Sequence, residues 1–327
     1  MTVIATADAG GSLRSVRIAV TGAGGQLGGY LGPALAAAGA IPIGFGHAAG
    51  PAIEHVVDIG NAAAVREALN ESAPAIVIHA AAYTDVDGCE RNPGRAEAVN
   101  AQGSANVATA ARAIGAHLIM ISTDFVFAGD GGAPYGEEAP PRPLSVYGQS
   151  KLAGEAAVLG TDPGFAVART AWLYGGAGKH FPRTILGVLR DRAAIEVVTD
   201  ETGSPTFAGD LAEAVVALAA IRAAGIFHLP NEGRASRFAF AQAVAGAAGI
   251  ALDRIAPTTS VAFLAKYPLP APRPADSTLG NSRAAALGIA LRPWRDAVAA
   301  YVPRLAAEFG LAPSGEQPAI DEGVAPR

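Results

Sequence analysis

Tyr147 and Lys151 stand four residues apart in "VYGQSKLAGE" (146–155), a stretch that otherwise reads as the start of a helix. One helical turn separates them, so they share a face. Alone, the pair fits buried packing, a solvated edge, or a phenol with its electrostatic activator. Upstream, "MISTDFVF" places Ser122 and Thr123 at the carboxyl end of an expected strand, where open α/β sheets bind ligands. A strand-end hydroxyl with a tyrosine and a lysine on the next helix suits ketone reduction by hydride. The alkoxide must be protonated as it forms, and a phenol can supply the proton if its pKa of about 10 falls toward neutrality. A lysine charge about 6 Å away, at an effective dielectric of about 20, favours the phenolate by roughly 3 kcal/mol, or about two pKa units. Lys151 is expected to act on Tyr147 in this way, while Thr123 hydrogen-bonds the substrate carbonyl or orients the phenol.

Hydride needs a carrier. "VTGAGGQLGGYL" follows the first expected strand and opens the first helix, with Gly22, Gly25 and Gly28 at GxxGxxG spacing around Gln26 and Leu27. Glycine is required where backbone turns tightly against a pyrophosphate, and the helix N-terminus behind it offers N–H groups and a favourable dipole. "HAAAYTDVD" leaves the fourth strand with small residues, Ala80, Ala81 and Ala82 before Tyr83, where backbone passes close to a dinucleotide. The second strand ends "GFGHAAG", with neither an acid for a ribose 2'-hydroxyl nor an arginine for a 2'-phosphate; His47 is the one polar side chain there. With no carboxylate to repel the phosphate, NADPH is favoured over NADH, which stays open.

These residues need a frame. From Val16, short β-branched runs alternate with alanine-rich helical stretches, the pattern of parallel strands joined by crossover helices. Further strands are expected at 117–122, 165–170 and 225–229, and helices at 99–114 and 145–159. The fold class is therefore α/β, a Rossmann-type doubly wound parallel sheet with a smaller C-terminal substrate-binding region. Expected boundaries are a disordered tail at 1–15, a dinucleotide-binding domain at 16–176 completed by 207–231, a substrate region at 177–206 and 232–311, and a second disordered tail at 312–327.

Composition narrows the partners. Half of the 327 residues are hydrophobic, enough for a sizeable core, and the net charge of -5 comes without any lysine and arginine cluster interleaved with aromatics. Nucleic acid is not an expected partner. Cys89 is the only cysteine and reads as a buried or incidental thiol, and the six histidines are scattered, so no metal is expected. The N-terminal "MTVIATADAGGSLRS" has no basic leader or continuous apolar core, which suggests the cytoplasm. "LAEAVVALAAIRAAG" from Leu211 is too short to span a bilayer and is interrupted by Glu213 and Arg222, so no membrane partner is expected.

The GxxGxxG spacing and the Tyr-x-x-x-Lys helix resemble the short-chain dehydrogenase/reductase superfamily. Within it, "GAGGQLG", "AAAYTDVDGCE", "VNAQGSANVATAA", "STDFVFAGDGGAPYGEEAPPRPLSVYGQSKLAGE", "RTAWLYG", "TGSPTFAGDLA" and "RPADSTLGNSRAAALGI" resemble the dTDP-4-dehydrorhamnose reductase family over about 16–309. The resemblance implies an NAD(P)H-dependent reduction of the 4-keto group of dTDP-4-dehydro-L-rhamnose, with Thr123, Tyr147 and Lys151 catalytic and Lys151 also on the nicotinamide ribose. It sets Asp58 and Ile59 of "VVDIGN" beside the adenine, Trp172 on the deoxysugar, and Asp124, Phe125, Thr206 and Arg273 in the substrate site. Phe125 stands where related dehydratases carry an acid, which disfavours dehydration. His180 replaces a frequent asparagine, and "APRP" has one arginine where many relatives have two; Lys179, Arg183 and Arg273 are candidates to counter a diphosphate. Tyr30 stands at the position of a glutamate that holds an intersubunit metal in some relatives. A nucleotide-sugar substrate and a homodimer are the candidate partners. The alternatives are a 4-ketoreductase for another deoxysugar nucleotide and a non-catalytic subunit like the β subunit of methionine adenosyltransferase.

Overall fold

Successive strand residues point to opposite faces, so a strand apolar at every position must be covered on both sides. The first run behaves in this way: Ile18 and Val20 enter one core, and Ala19 enters the other. The computed structural model describes residues 11–311. Its main sheet has seven strands, β1 (Arg17–Thr21), β2 (Ile41–Gly46), β3 (His55–Val56), β4 (Ile76–His79), β5 (His117–Thr123), β6 (Ala166–Thr170) and β7 (Gly225–His228). They lie in the order β7-β6-β5-β4-β1-β2-β3, all parallel. The order reverses between β1 and β4, and this switch point opens a crevice at the carboxyl ends of both strands.

Helices α1 (Gly28–Ala37), α2 (Ala62–Ser72), α3 (Gly103–Ala113), α4 (Val146–Thr161), α5 (Phe181–Asp191), α6 (Ala208–Ala220), α7 (Arg237–Ala247) and α8 (Trp294–Glu308) make the remaining layers. Leu31 and Leu35 of α1 and Leu211, Val215 and Leu218 of α6 cover one sheet face. Val65 and Leu69 of α2, Val107 and Ala111 of α3, and Val158 of α4 cover the other. The apolar stretch from Leu211 is thus a helix buried on one side, and among the described residues no helix is long and apolar enough to cross a membrane. A third core joins α5, α7 and α8 through Leu186, Phe240, Val244, Trp294 and Val302.

Three details depart from the sequence reading. The helix expected at 99–114 begins with a π-helical turn, Glu97–Gln102, before α3. Leu13, expected in a disordered tail, is buried in the sheet's core, and Ser15 N donates to Gly39 O at 2.8 Å. A lone leucine among glycine and serine carries no periodicity that would reveal this. Ala284, Ile289 and Leu291, expected in the substrate region, also pack with the sheet, because the five-residue helix Ser282–Ala286 is too short to show a repeat. Residues 1–10 and the expected tail at 312–327 lie outside the described residues.

Candidate functional site

β1, β4, β5 and β6 all end at one edge, and each delivers part of the site. Past β1, Gly22 has φ +71°, and a Cβ on it would lie 2.9 Å from Cα and N of Ala81 past β4. Only glycine fits that approach. Ala80 N donates to Thr21 O at 3.2 Å, and Ala81 N to Thr21 Oγ1 at 3.2 Å, which ties the two turns together. Thr21 Oγ1 also meets His79 Nδ1 at 2.7 Å, and burial, helped by the Lys151 charge, lowers His79 to about 3, so this ring stays neutral.

The glycine turn opens α1, whose N-cap residue Leu27 makes no side-chain cap and whose first turn holds no acid. By contrast α2 and α4 are capped by Asn61 and Ser145. An uncapped helix end above a cradle that excludes Cβ atoms fits a dinucleotide pyrophosphate. Leu27 is itself buried in the core, so its backbone alone can face a cofactor, and Gln26 Nε2 reaches Leu173 O at 3.3 Å. Gly25 and Gly28 complete the turn, the latter packed on Gly22 O and Ala23 O. Asp58, exposed past β3, accepts from Gly60 N at 2.9 Å, while Ile59 is buried and its carbonyl accepts from Asn106 Nδ2 at 2.9 Å. Ala82 and Tyr83 continue the β4 turn, and His47 is exposed.

The structure brings Thr123, Tyr147 and Lys151 together. Ser145 Oγ accepts from Gly148 N at 3.2 Å and Glu90 Oε1 from Val146 N at 2.8 Å, which fixes the start of α4. A Cβ on Gly148 would lie 2.2 Å from Phe125 O, so its absence lets Tyr147 close over the end of β5. Tyr147 is 8 % exposed, with Phe125 edge-on at 5.6 Å and Cys89 beneath it. Burial pushes the Cys89 thiol up to about 11, as suits a packing residue.

Tyr147 departs from the activation expected of Lys151. Burial pushes the phenol well above its ordinary value; hydrogen bonding to Thr123 opposes this, and Asp124 adds to the rise. Lys151 is not among the groups that lower it. Its ammonium donates to Ile121 O at 2.8 Å, and burial brings it down to about 8 against the pull of Glu155. Desolvation thus outweighs the Coulomb gain reckoned for a solvated pair. Thr123 has one hydroxyl proton and gives it to Asp124 Oδ1 at 3.0 Å, which leaves an acceptor for the phenol rather than a donor for a carbonyl. The adjacent Ser122 hydroxyl is buried and has no partner among the described residues.

The substrate-side residues fare unevenly. Asp124 is 2 % exposed and also accepts from Ser277 Oγ; burial raises it to about 6, and those hydrogen bonds oppose the rise. Trp172 follows β6 with φ +44° and is half-buried. Thr206 is fully buried and spends its hydroxyl on Ser204 O at 3.1 Å, so it packs and does not present a hydroxyl to a pocket. Arg273 donates to Asp87 Oδ2 at 2.8 Å and to Ala271 O at 2.9 Å, an ion pair that fastens the proline-rich strap to the sheet domain. Arg183 pairs with Glu308 at 2.7 Å, Lys179 is exposed, and His180 caps α5 and meets Tyr301 Oη at 3.1 Å. Of the diphosphate candidates, Arg183 and Arg273 are already engaged by carboxylates.

Several residues escaped sequence reasoning. Asn100, in the π-helical turn and 1 % exposed, accepts from Tyr83 N at 2.8 Å and donates to Tyr83 O at 3.1 Å and Ser150 Oγ at 3.0 Å. It holds α4 against the β4 turn. Ser277 and Arg237, which stacks on Trp172, are further such residues; Asn100 and Ser277 lie inside the motifs "VNAQGSANVATAA" and "RPADSTLGNSRAAALGI", where nothing sets them apart from their polar neighbours, and Arg237 lies in none.

With the geometry in hand, comparison with known proteins agrees. Residues 16–307 match the family described as RmlD substrate binding domain. A dTDP-4-dehydrorhamnose reductase of Mycobacterium tuberculosis (strain CDC 1551 / Oshkosh) is 43% identical over 293 residues, covering 88% of this chain and 92% of that one. A probable dTDP-4,6-dihydroxy-2-methyloxan-3-one 4-ketoreductase of Streptomyces antibioticus is 40% identical, over 89% and 96%. The crystal structure of the dTDP-4-dehydrorhamnose reductase of Bacillus anthracis str. Ames in complex with NADP superposes with a TM-score of 0.81 at 34% identity, over 88% of this chain and 98% of that one. On the sequence motifs, the doubly wound sheet and these relatives together, the chain belongs to the dTDP-4-dehydrorhamnose reductase family.

Proposed function

We propose that this protein reduces the 4-keto group of dTDP-4-dehydro-L-rhamnose to give dTDP-L-rhamnose, with NADPH as the reductant. The gathering of Thr123, Tyr147 and Lys151 beside the Gly22 and Ala81 cradle carries the reading. Gly22, Gly25, Gly28 and the first turn of α1 would hold the pyrophosphate, Asp58 and Ile59 the adenosine side, and Ala80 to Tyr83 the path toward the nicotinamide. Bound there, NADPH supplies hydride to the carbonyl carbon.

Tyr147 supplies the proton. Its raised pKa keeps the phenol protonated until an alkoxide, a far stronger base, forms beside it. Thr123, with its own proton committed to Asp124, accepts from the phenol and aims it. Lys151, one helical turn along α4 and anchored on Ile121 O, would hold the nicotinamide ribose. Phe125 and Cys89 exclude water from the ring.

The proposal assigns cofactor binding to 16–176 with 207–231, and substrate binding to 177–206 with 232–311. It extends to a homodimer in the cytoplasm; a monomer by sedimentation, or recovery with the envelope on fractionation, removes those parts. Oxidation of NADPH by the purified chain with dTDP-4-dehydro-L-rhamnose, with the product identified by sugar configuration, tests the reaction. Bound NADPH without turnover would reject it.

A further inference from the structure

Arg237 opens α7, and its guanidinium carbon lies 3.6 Å from the centroid of the Trp172 ring, with the Phe181 ring at 5.2 Å. Trp172 holds φ +44°, a conformation strained for a bulky residue, and its indole also lies against Gly203. The backbone is thus strained where it aims this ring. Stacking fixes the plane of a guanidinium and leaves its edge of N–H donors in that plane. Here the edge is spent only on its Nε side, toward Glu201. Arg237 Nε is 3.6 Å from Glu201 Oε2, an ion pair longer than a hydrogen bond, and the side chain keeps 20% exposure. Arg273, the other cation that acts on this side chain, is engaged by Asp87, and the Asp124 charge at the end of β5 favours the Arg237 cation.

A planar fork paired at its Nε side with Glu201, on an aromatic platform within the electrostatic reach of Asp124, keeps its Nη donors for a bidentate phosphoryl group. We propose that Arg237, stacked on Trp172, binds the diphosphate of the nucleotide-sugar substrate and so fixes the distance from nucleotide to reacting carbon. The inference rests on the reductase reading for its ligand, and it replaces Arg183 and Arg273 as the main phosphate contact. NADPH also carries phosphates, so the test must separate the two sources.

The full chain, its Arg237→Gln and its Arg237→Lys variants are titrated calorimetrically with dTDP, thymidine and NADPH. Arg237→Gln is expected to weaken dTDP at least tenfold, with thymidine and NADPH within twofold of wild type, and Arg237→Lys to recover part of the loss. The inference is overturned by dTDP binding within twofold in Arg237→Gln, by equal losses for dTDP and thymidine, or by a loss confined to NADPH. If Arg237→Gln loses all three ligands, Arg237→Lys decides by the same comparison. Wild type that binds dTDP through Arg237 but does not reduce the keto-sugar rejects the reductase reading and keeps the subsite. Wild type that turns over, with Arg237→Gln unaffected, does the reverse.

Discussion

Glu155 lies one turn beyond Lys151 on α4, and its removal tests how the site is charged. Its carboxylate meets Arg169 of β6 with Oε2 to Nη2 at 2.6 Å and Oε1 to Nε at 3.0 Å, both side chains being 3% exposed. Arg169 Nη1 reaches His228 Nε2 at 3.4 Å, and His228 Nδ1 donates to Gly280 O at 2.9 Å. Glu155→Gln leaves the guanidinium buried without its counter-charge, which costs about 3–5 kcal/mol, readable as a lower urea midpoint. Replacing both partners, Glu155→Met with Arg169→Met, should recover most of that loss, because apolar groups of similar volume need no counter-charge. Catalysis reports a separate consequence. Glu155 holds the Lys151 pKa up, so without it the ammonium deprotonates below its present value of about 8. The alkaline fall of kcat/KM, expected above about pH 8 in wild type, should then move to lower pH in the single and the double variant alike. A loss under about 1 kcal/mol in Glu155→Gln would refute the stability argument, and an unmoved alkaline limb would refute the link to Lys151.

Other predictions follow from single positions. Tyr147→Phe should lower kcat by about 10²–10⁴-fold with NADPH affinity unchanged, since the hydroxyl acts on the forming alkoxide; turnover near wild type would remove the proposed acid. Gly22→Ala sets a Cβ 2.9 Å from the Ala81 backbone at φ +71° and should destabilise by more than about 1 kcal/mol while weakening NADPH binding; titration of NADPH at wild-type affinity would contradict the cradle. Acid should destabilise the fold. His79, lowered to about 3 in the native state against 6.5 unfolded, contributes stability that is full above pH 6.5 and declines toward pH 3, a loss of about 2 kcal/mol at pH 5. His117 and His180, at about 4, and His228, also lowered, act in the same direction, whereas Asp124, raised to about 6, opposes them. A urea midpoint that does not fall between pH 7 and pH 5 would contradict this balance.

The parts of the fold that repeat were legible. Seven apolar strand runs and the GxxGxxG turn announce a doubly wound sheet, and Tyr147, Lys151 and Thr123 could be read because one helix turn and one strand end fix their geometry. What depends on desolvation was not legible. The reckoning for Lys151 and Tyr147 used a solvated dielectric, and the burial of both reverses the sign of the phenol's shift. Pairings between distant segments were hidden as well: Arg273 looked free until Asp87 appeared 186 residues away, and Ser277 carried no hint of Asp124. Arg237 begins an alanine-rich helix, and only the fold brings Trp172 beneath it.

In the proposed reaction hydride reaches the sugar's C4 while Tyr147 protonates the oxygen there. It is tested most directly with NADPH deuterated at the transferring position, turned over with dTDP-4-dehydro-L-rhamnose and read by NMR of the product. Wild type should give dTDP-L-rhamnose with deuterium at C4, and Tyr147→Phe almost none. Deuterium at another carbon, or none in the presence of bound cofactor, would contradict it.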